Sequence, residues 1–362
     1  MKAKAALFIA PRQPLVVDEI EFPDPGPDQV LVKLFASGVC HSQLHTIQRP
    51  PRPGHRLPEL LGHESTGVVV AKGREVHHVK EGDRVITTWV DRDNATTNQP
   101  LVMHALNDRT QYTADWRGQE VMHSAATWAE CALAQERVVL PLPAGIATDV
   151  TSIIGCAVMT GAGAVINTLQ VRSGQSMVVV GAGGIGLCAI SAAAVVDAHP
   201  IIAVDVSDQK LEFARRFGAT DVINSKKIDP IQRIKDLTDG GVDFAIDAVG
   251  LPETQEQILR AVRPGFSGRS RGGTALLIGI TPPNAKAVLD TNLFAGSRSF
   301  TRTSGGDCKP ERDFPIFIRW YQTGKLKLDE LVTSRYKLEQ INQAVNDLEH
   351  GRILGRGILT FD

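Results

Sequence analysis

Cysteine, an excess of either charge, and long apolar runs are all scarce in this chain of 362 residues. The five cysteines, an odd number, are spread widely at positions 40, 131, 156, 188 and 308. A disulfide framework belongs to short secreted chains with closely spaced pairs, so these read as reduced thiols or metal ligands. Lys and Arg number 39 and Asp and Glu 40, a formal net charge of −1. That balance gives no basis for a nucleic-acid or anionic-membrane partner. No apolar run reaches the roughly 20 residues that span a bilayer. Met1–Ala10 has lysines but no long apolar core and runs into Pro11, so no secretory signal is expected, and the expected compartment is the cytoplasm. Internal repeats and low-complexity tracts are also missing.

Hydrophobic residues make up 43% and charged residues 22%, an ordinary globular balance, and the length calls for two domains. Up to about residue 150 the pattern is β-rich. Short apolar runs at Ala5–Ala10, Leu15–Ile20, Val30–Gly38, Gly67–Ala71, Asp83–Thr88, Trp128–Ala134 and Val138–Leu142 are punctuated by Gly and Pro, which points to a barrel or sandwich. From Met177 the texture changes. Strand runs at Met177–Val180, Ile201–Asp205, Val242–Asp247 and Ala275–Gly279 alternate with helical runs at Ile185–Val196 and Asp208–Phe217, which predicts a parallel sheet covered by helices. A terminal strand is predicted at Gly357–Phe361. Asp91–Thr127, polar and weakly periodic, is expected to be a lobe, lid or flexible insert.

The run Val178–Val180 leads into Gly181-Ala182-Gly183-Gly184-Ile185-Gly186, a G-x-G-x-x-G between a strand and a helix. Gly181 permits the turn, Gly183 lets a pyrophosphate approach the backbone, and Gly186 lets the helix pack closely. Helix-terminal N–H groups then face the phosphates. Asp205 ends the next strand run, about 20 residues on, where a carboxylate binds ribose hydroxyls. An acid there repels a 2′-phosphate, so NAD is expected rather than NADP.

Gly62-His63-Glu64-Ser65-Thr66-Gly67 and the residues that follow, together with Cys40-His41-Ser42 and Gly155-Cys156-Ala157-Val158-Met159-Thr160-Gly161, resemble the zinc-dependent, medium-chain alcohol dehydrogenases of the horse-liver type. With the dinucleotide unit and the ending Arg356-Gly357-Ile358-Leu359-Thr360-Phe361, the resemblance covers nearly the whole chain outside Asp91–Thr127. It implies an α/β architecture: a GroES-like β-barrel catalytic domain, 1–157 with 303–362, around a Rossmann domain with a doubly wound parallel sheet, 158–302. The active site is expected in the cleft. It also implies a catalytic zinc on Cys40, His63 and Cys156, which matches the three-protein-ligand habit of catalytic zinc. Glu64 is implied to lie behind the metal, with Arg356 a candidate partner. Ser42 is implied to touch the alcohol, and its proton to pass through Ser42 and the cofactor ribose to His45. His41, Thr160, Gly184, Ile185, Lys210, Ile278, Ile280 and Arg356 are implied to meet the cofactor, His41 and Arg356 at its pyrophosphate. Trp89 and Trp128 are implied to line the substrate channel, with Met159 and the two isoleucines as apolar neighbours. The partner is then a small alcohol or aldehyde, and the assembly a homodimer through the Rossmann sheet edge or a tetramer.

Two departures from the family matter. Many members hold a second, structural zinc on four clustered cysteines. Asp91–Thr127 has none, and His104 and His123 make no recognisable ligand set, so one zinc per chain is expected, with Trp116 a candidate anchor for the lobe. The family usually has Asp after the relay serine, supporting the zinc-binding histidine. This chain has Gln43, which can accept the same bond without the charge and leaves His63 a weaker donor. Primary alcohols, aryl ones included, are the expected substrates, since the indoles of Trp89 and Trp128 can narrow the channel or stack on an aromatic ring, and no basic cluster marks a thiol-conjugated one. A polyol dehydrogenase and a non-catalytic binding protein are the competing readings.

Overall fold

The computed structural model describes residues 1–49, 56–92, 113–123, 126–266, 270–282 and 284–361, Thr113 and His123 by backbone alone. Ten strands precede residue 150: β1 Lys2–Phe8, β2 Val16–Glu21, β3 Gln29–Val39, β4 Glu59–Leu60, β5 Ser65–Lys72, β6 Arg84–Thr87, β7 Thr113–Trp116, β8 Gln119–His123, β9 Cys131–Gln135 and β10 Val139–Pro141. Six follow in the middle of the chain: β11 Met177–Val180, β12 Ile201–Asp205, β13 Asp221–Asn224, β14 Phe244–Asp247, β15 Thr274–Leu277 and β16 Ser299–Arg302. The last two are β17 Val332–Tyr336 and β18 Arg356–Thr360. Two compact units result, one of Met1–Cys156, Lys309–Pro315 and Leu328–Asp362, the other of Ala157–Cys308 and Ile316–Lys327.

In the first unit, β1, β2, β7, β8 and β4 close a barrel, and a seven-stranded sheet runs β10-β6-β5-β3-β18-β17 with β9 also on β3. Alternating apolar residues drive both. Leu7, Ile20, Phe22, Leu31, Leu60 and Val121 fill one core, and Val30, Val32, Leu34, Val69 and Val85 another. Within Asp91–Thr127 the described residues 113–123 form a hairpin that completes the barrel, which corrects the expectation there. Arg117 and Gly118 both take positive φ, 56° and 82°, between the paired ends Trp116 and Gln119. That is the twist a two-residue hairpin turn requires. Arginine is a poor signal for it, so the sequence hid the turn. Trp116 does anchor this hairpin: its indole N–H donates to Asp18 Oδ2 at 2.8 Å, with Arg117 over the ring. His104 and the rest of 93–112 lie outside the described residues, as does the His123 side chain.

In the second unit, six strands lie in the order β13-β12-β11-β14-β15-β16, every neighbour parallel. Numbered from β11, this is the 3-2-1-4-5-6 order of the doubly wound dinucleotide fold. β11 is all Val and Met because helices cover both of its faces. β13 and β16, at the edges, carry polar residues, half-exposed in β13 and mostly exposed in β16, and gave no apolar run to read.

Candidate active site

Strand register gathers the metal ligands. β5, β3 and β18 are neighbours, with Ser65 opposite Ser37 and Gly357 opposite Val39. Residue 40 leaves the end of β3, residues 63 and 64 enter β5, and residue 356 opens β18, so all meet at one sheet edge. β6 joins them there, with Thr87 opposite Ser65. Just past it the Thr88 hydroxyl donates to the Gly155 carbonyl at 2.7 Å, which pins the segment before Cys156 to the same edge. The glycine leading to His63, Gly62, takes φ +94°, and the Gly38 N–H and Ser37 hydroxyl hold the Glu64 carbonyl at 3.1 Å each.

The result is one buried cluster. The donor atoms of Cys40, His63 and Cys156 all lie within 4.8 Å of one another, the metal-ligand group found among the described residues. His63 Nε2 is 3.2 Å from Cys156 Sγ. The Cys40 thiol is pulled well below its ordinary range, first by its hydrogen bond with Cys156 and then by Arg356 and His63. Cys156 is pushed up, first by Cys40 and then by burial. Burial opposes protonation of His63, but its Cys40 contacts outweigh that and raise it. Two sulfurs and an imidazole suit zinc, and three protein ligands rather than four mark a site that keeps a place open. The Ser42 hydroxyl is buried without a hydrogen-bond partner, as fits a side chain that awaits a ligand oxygen.

Around this cluster the expected residues fall as follows. Glu64 and Arg356 form a buried ion pair, so Arg356 does meet the candidate acid. With only 4% exposure, its expected contact with the cofactor pyrophosphate has no open guanidinium behind it. Gln43 reaches His63 Nδ1 at 2.7 Å through its amide nitrogen. With that partner the ring proton sits on Nε2, towards Cys156. If Nε2 held a metal, the ring proton would lie on Nδ1, and Gln43 would accept it through its amide oxygen. His41 is exposed at the start of the helix His41–Gln48, and His45 is half-buried in its last turn. Burial, then the Arg49 charge, lowers the His45 pKa. Arg49 went unremarked in the sequence, although its place four residues after His45 on a helix was the available signal. Trp89, two residues beyond β6, is half-buried with an unpartnered indole N–H. Trp128 is a correction. Its ring is 1% exposed in the core with Phe8, Leu15 and Leu359, and its N–H is spent on the Gly38 carbonyl at 3.0 Å, so it offers nothing to a channel.

In the second unit, Gly181 takes φ +98° and the helix Gly184–Val195 starts directly after Gly183. Space above Gly183 is open, whereas a side chain on Gly186 would run into the Gly181 carbonyl. Asp205 ends β12 and accepts from Ala182 N at 2.9 Å and Ser207 N at 3.0 Å, so sheet order brings it to the glycine turn. Lys210 lies in the first turn of the helix Asp208–Arg216, half-exposed. Thr160 and Ile278 are buried in this unit, and Ile280 is exposed.

A family model for the alcohol dehydrogenase GroES-like domain matches residues 26–144, and one for zinc-binding dehydrogenases matches 184–323. An S-(hydroxymethyl)glutathione dehydrogenase of Saccharomyces cerevisiae is 28% identical over all of this chain and 97% of its own. Among solved structures, an alcohol dehydrogenase zinc-binding domain protein from Burkholderia ambifaria superposes with a TM-score of 0.90 at 32% identity, covering 100% of this chain and 99% of that one. The benzyl alcohol dehydrogenase of Acinetobacter calcoaceticus gives 0.89 at 32% identity over both whole chains. This chain belongs to the zinc-type, medium-chain alcohol dehydrogenase family.

Proposed function

We propose that the chain is an NAD-linked alcohol dehydrogenase with one catalytic zinc, acting on primary alcohols, aryl ones included, and their aldehydes. The observation that carries the reading is the buried convergence of Cys40, His63 and Cys156. When bound, zinc supplies Lewis acidity towards an alcohol oxygen, and NAD supplies the hydride-accepting ring.

The chain's own groups supply the rest. Ser42, whose hydroxyl is buried and unpartnered, takes the hydrogen bond of the substrate hydroxyl. His45, its pKa lowered by burial and Arg49, is a neutral base at pH 7 that can receive the alcohol's proton. The Ala182–Gly186 backbone receives the pyrophosphate, and Asp205 the adenosine ribose. Trp89 follows Thr88, whose hydroxyl bonds Gly155 next to Cys156, and its half-buried indole supports an aromatic substrate. The name of the Acinetobacter relative agrees with that choice. The mostly exposed edge strand β16 suits the expected homodimer, and five buried cysteines without a disulfide suit the cytoplasm.

The test is NADH-linked turnover across aliphatic, aryl and polyol substrates with NAD and NADP. Aryl and primary alcohols are expected to lead with NAD, and Asp205→Gly to shift preference towards NADP. Preference for polyols would replace the substrate reading. No turnover by zinc-loaded protein on any alcohol would overturn the enzymatic one.

A further inference from the structure

Thr303 follows β16 directly, at the carboxyl edge of the second unit's sheet. Its N–H donates to the Leu277 carbonyl at 3.3 Å, which extends the ladder one step beyond Arg302. The residue is 6% exposed, and its hydroxyl has no hydrogen-bond partner. Among the described residues of this unit, it is the buried side-chain oxygen or nitrogen left in that condition. An unmade buried hydrogen bond destabilises the fold, so such a group points to a ligand that satisfies it.

The sheet says which ligand part falls there. In the 3-2-1-4-5-6 order the dinucleotide lies across the carboxyl edge, one nucleotide over each half. Asp205 on β12 marks the adenosine half. The other nucleotide lies over β14 to β16, where Ile278 and Gly279 donate N–H to the Asp247 carbonyl at 3.0 and 2.9 Å and Thr303 follows the end of β16. On a nicotinamide ring the carboxamide is the polar group, with an acceptor oxygen and a donor nitrogen. A hydroxyl can bond to either.

We propose that the Thr303 hydroxyl hydrogen-bonds the nicotinamide carboxamide and so fixes which ring face meets the substrate. This rests on the NAD reading above. The experiment titrates full-length wild type, Thr303→Val and Thr303→Ser with NADH and with ADP-ribose, which keeps the adenosine half and lacks the ring. Thr303→Val is expected to weaken NADH roughly three- to tenfold, the loss of one hydrogen bond, and to leave ADP-ribose unchanged. Thr303→Ser should restore NADH affinity. The melting temperature of ligand-free Thr303→Val should hold or rise, because the variant removes an unsatisfied group. A structural role for the hydroxyl would lower it. Equal weakening of both ligands, or no change in NADH, overturns the proposal. If wild type binds neither ligand, the NAD reading itself fails and the proposal falls with it.

Discussion

Glu64 and Arg356 face each other with almost no water around them. Removing one charge leaves the other buried alone, a loss of about 3–5 kcal/mol. Glu64→Gln is therefore expected to lower the unfolding free energy by that amount, measured by denaturant titration, and an unchanged unfolding free energy would mean that water reaches the pair. His45 carries a pH signature. Its pKa is lowered by burial and by Arg49, so it is neutral at pH 7 and protonates only below the usual histidine range. Alcohol oxidation should hold through neutral pH and fall on the acid side as His45 gains its proton, and His45→Gln should remove that limb. A kcat/KM profile identical to wild type would end the assignment. At this scale the metal ligands, Gln43 and the Glu64–Arg356 pairing were legible because they sit in recognisable motifs. Trp128 was misread because an indole that fills a core and one that lines a channel look alike in sequence. Only the Gly38 carbonyl, brought close by strand register, tells them apart.

The strand–turn–helix at Gly181–Val195 is an element whose parts fail together. A methyl group at Gly186 would strike the Gly181 carbonyl. Gly186→Ala is expected to cost about 1–3 kcal/mol by overpacking and to weaken NADH binding. Unfolding curves and a fluorescence titration check both, and full NADH affinity would show that the turn does not seat the phosphates. The buried strands β11 and β12 were readable within a residue because both of their faces are apolar. The hairpin β7–β8 was not readable. Its turn uses Arg117 at positive φ, and its strands alternate only weakly. The edge strands β13 and β16 escaped for a related reason: half-exposed positions in β13 and exposed ones in β16 leave no apolar run.

For the whole chain, the sequence called for a barrel-rich region and a parallel α/β region, and both are present. The unit boundaries depend on contacts that no local pattern records: 303–308 and 316–327 cluster with the parallel sheet rather than with the barrel. No helix among the described residues is long and apolar enough to cross a membrane. The cluster of Cys40, His63 and Cys156 unites three segments distant in sequence, and it is the feature on which the proposed chemistry depends. The most direct test is the zinc-to-protein ratio by inductively coupled plasma mass spectrometry, on wild type and Cys156→Ser purified alike. One zinc per chain in wild type, falling close to none in the variant, is the expected result. Two zincs in wild type, or one retained after Cys156 is replaced, would contradict it.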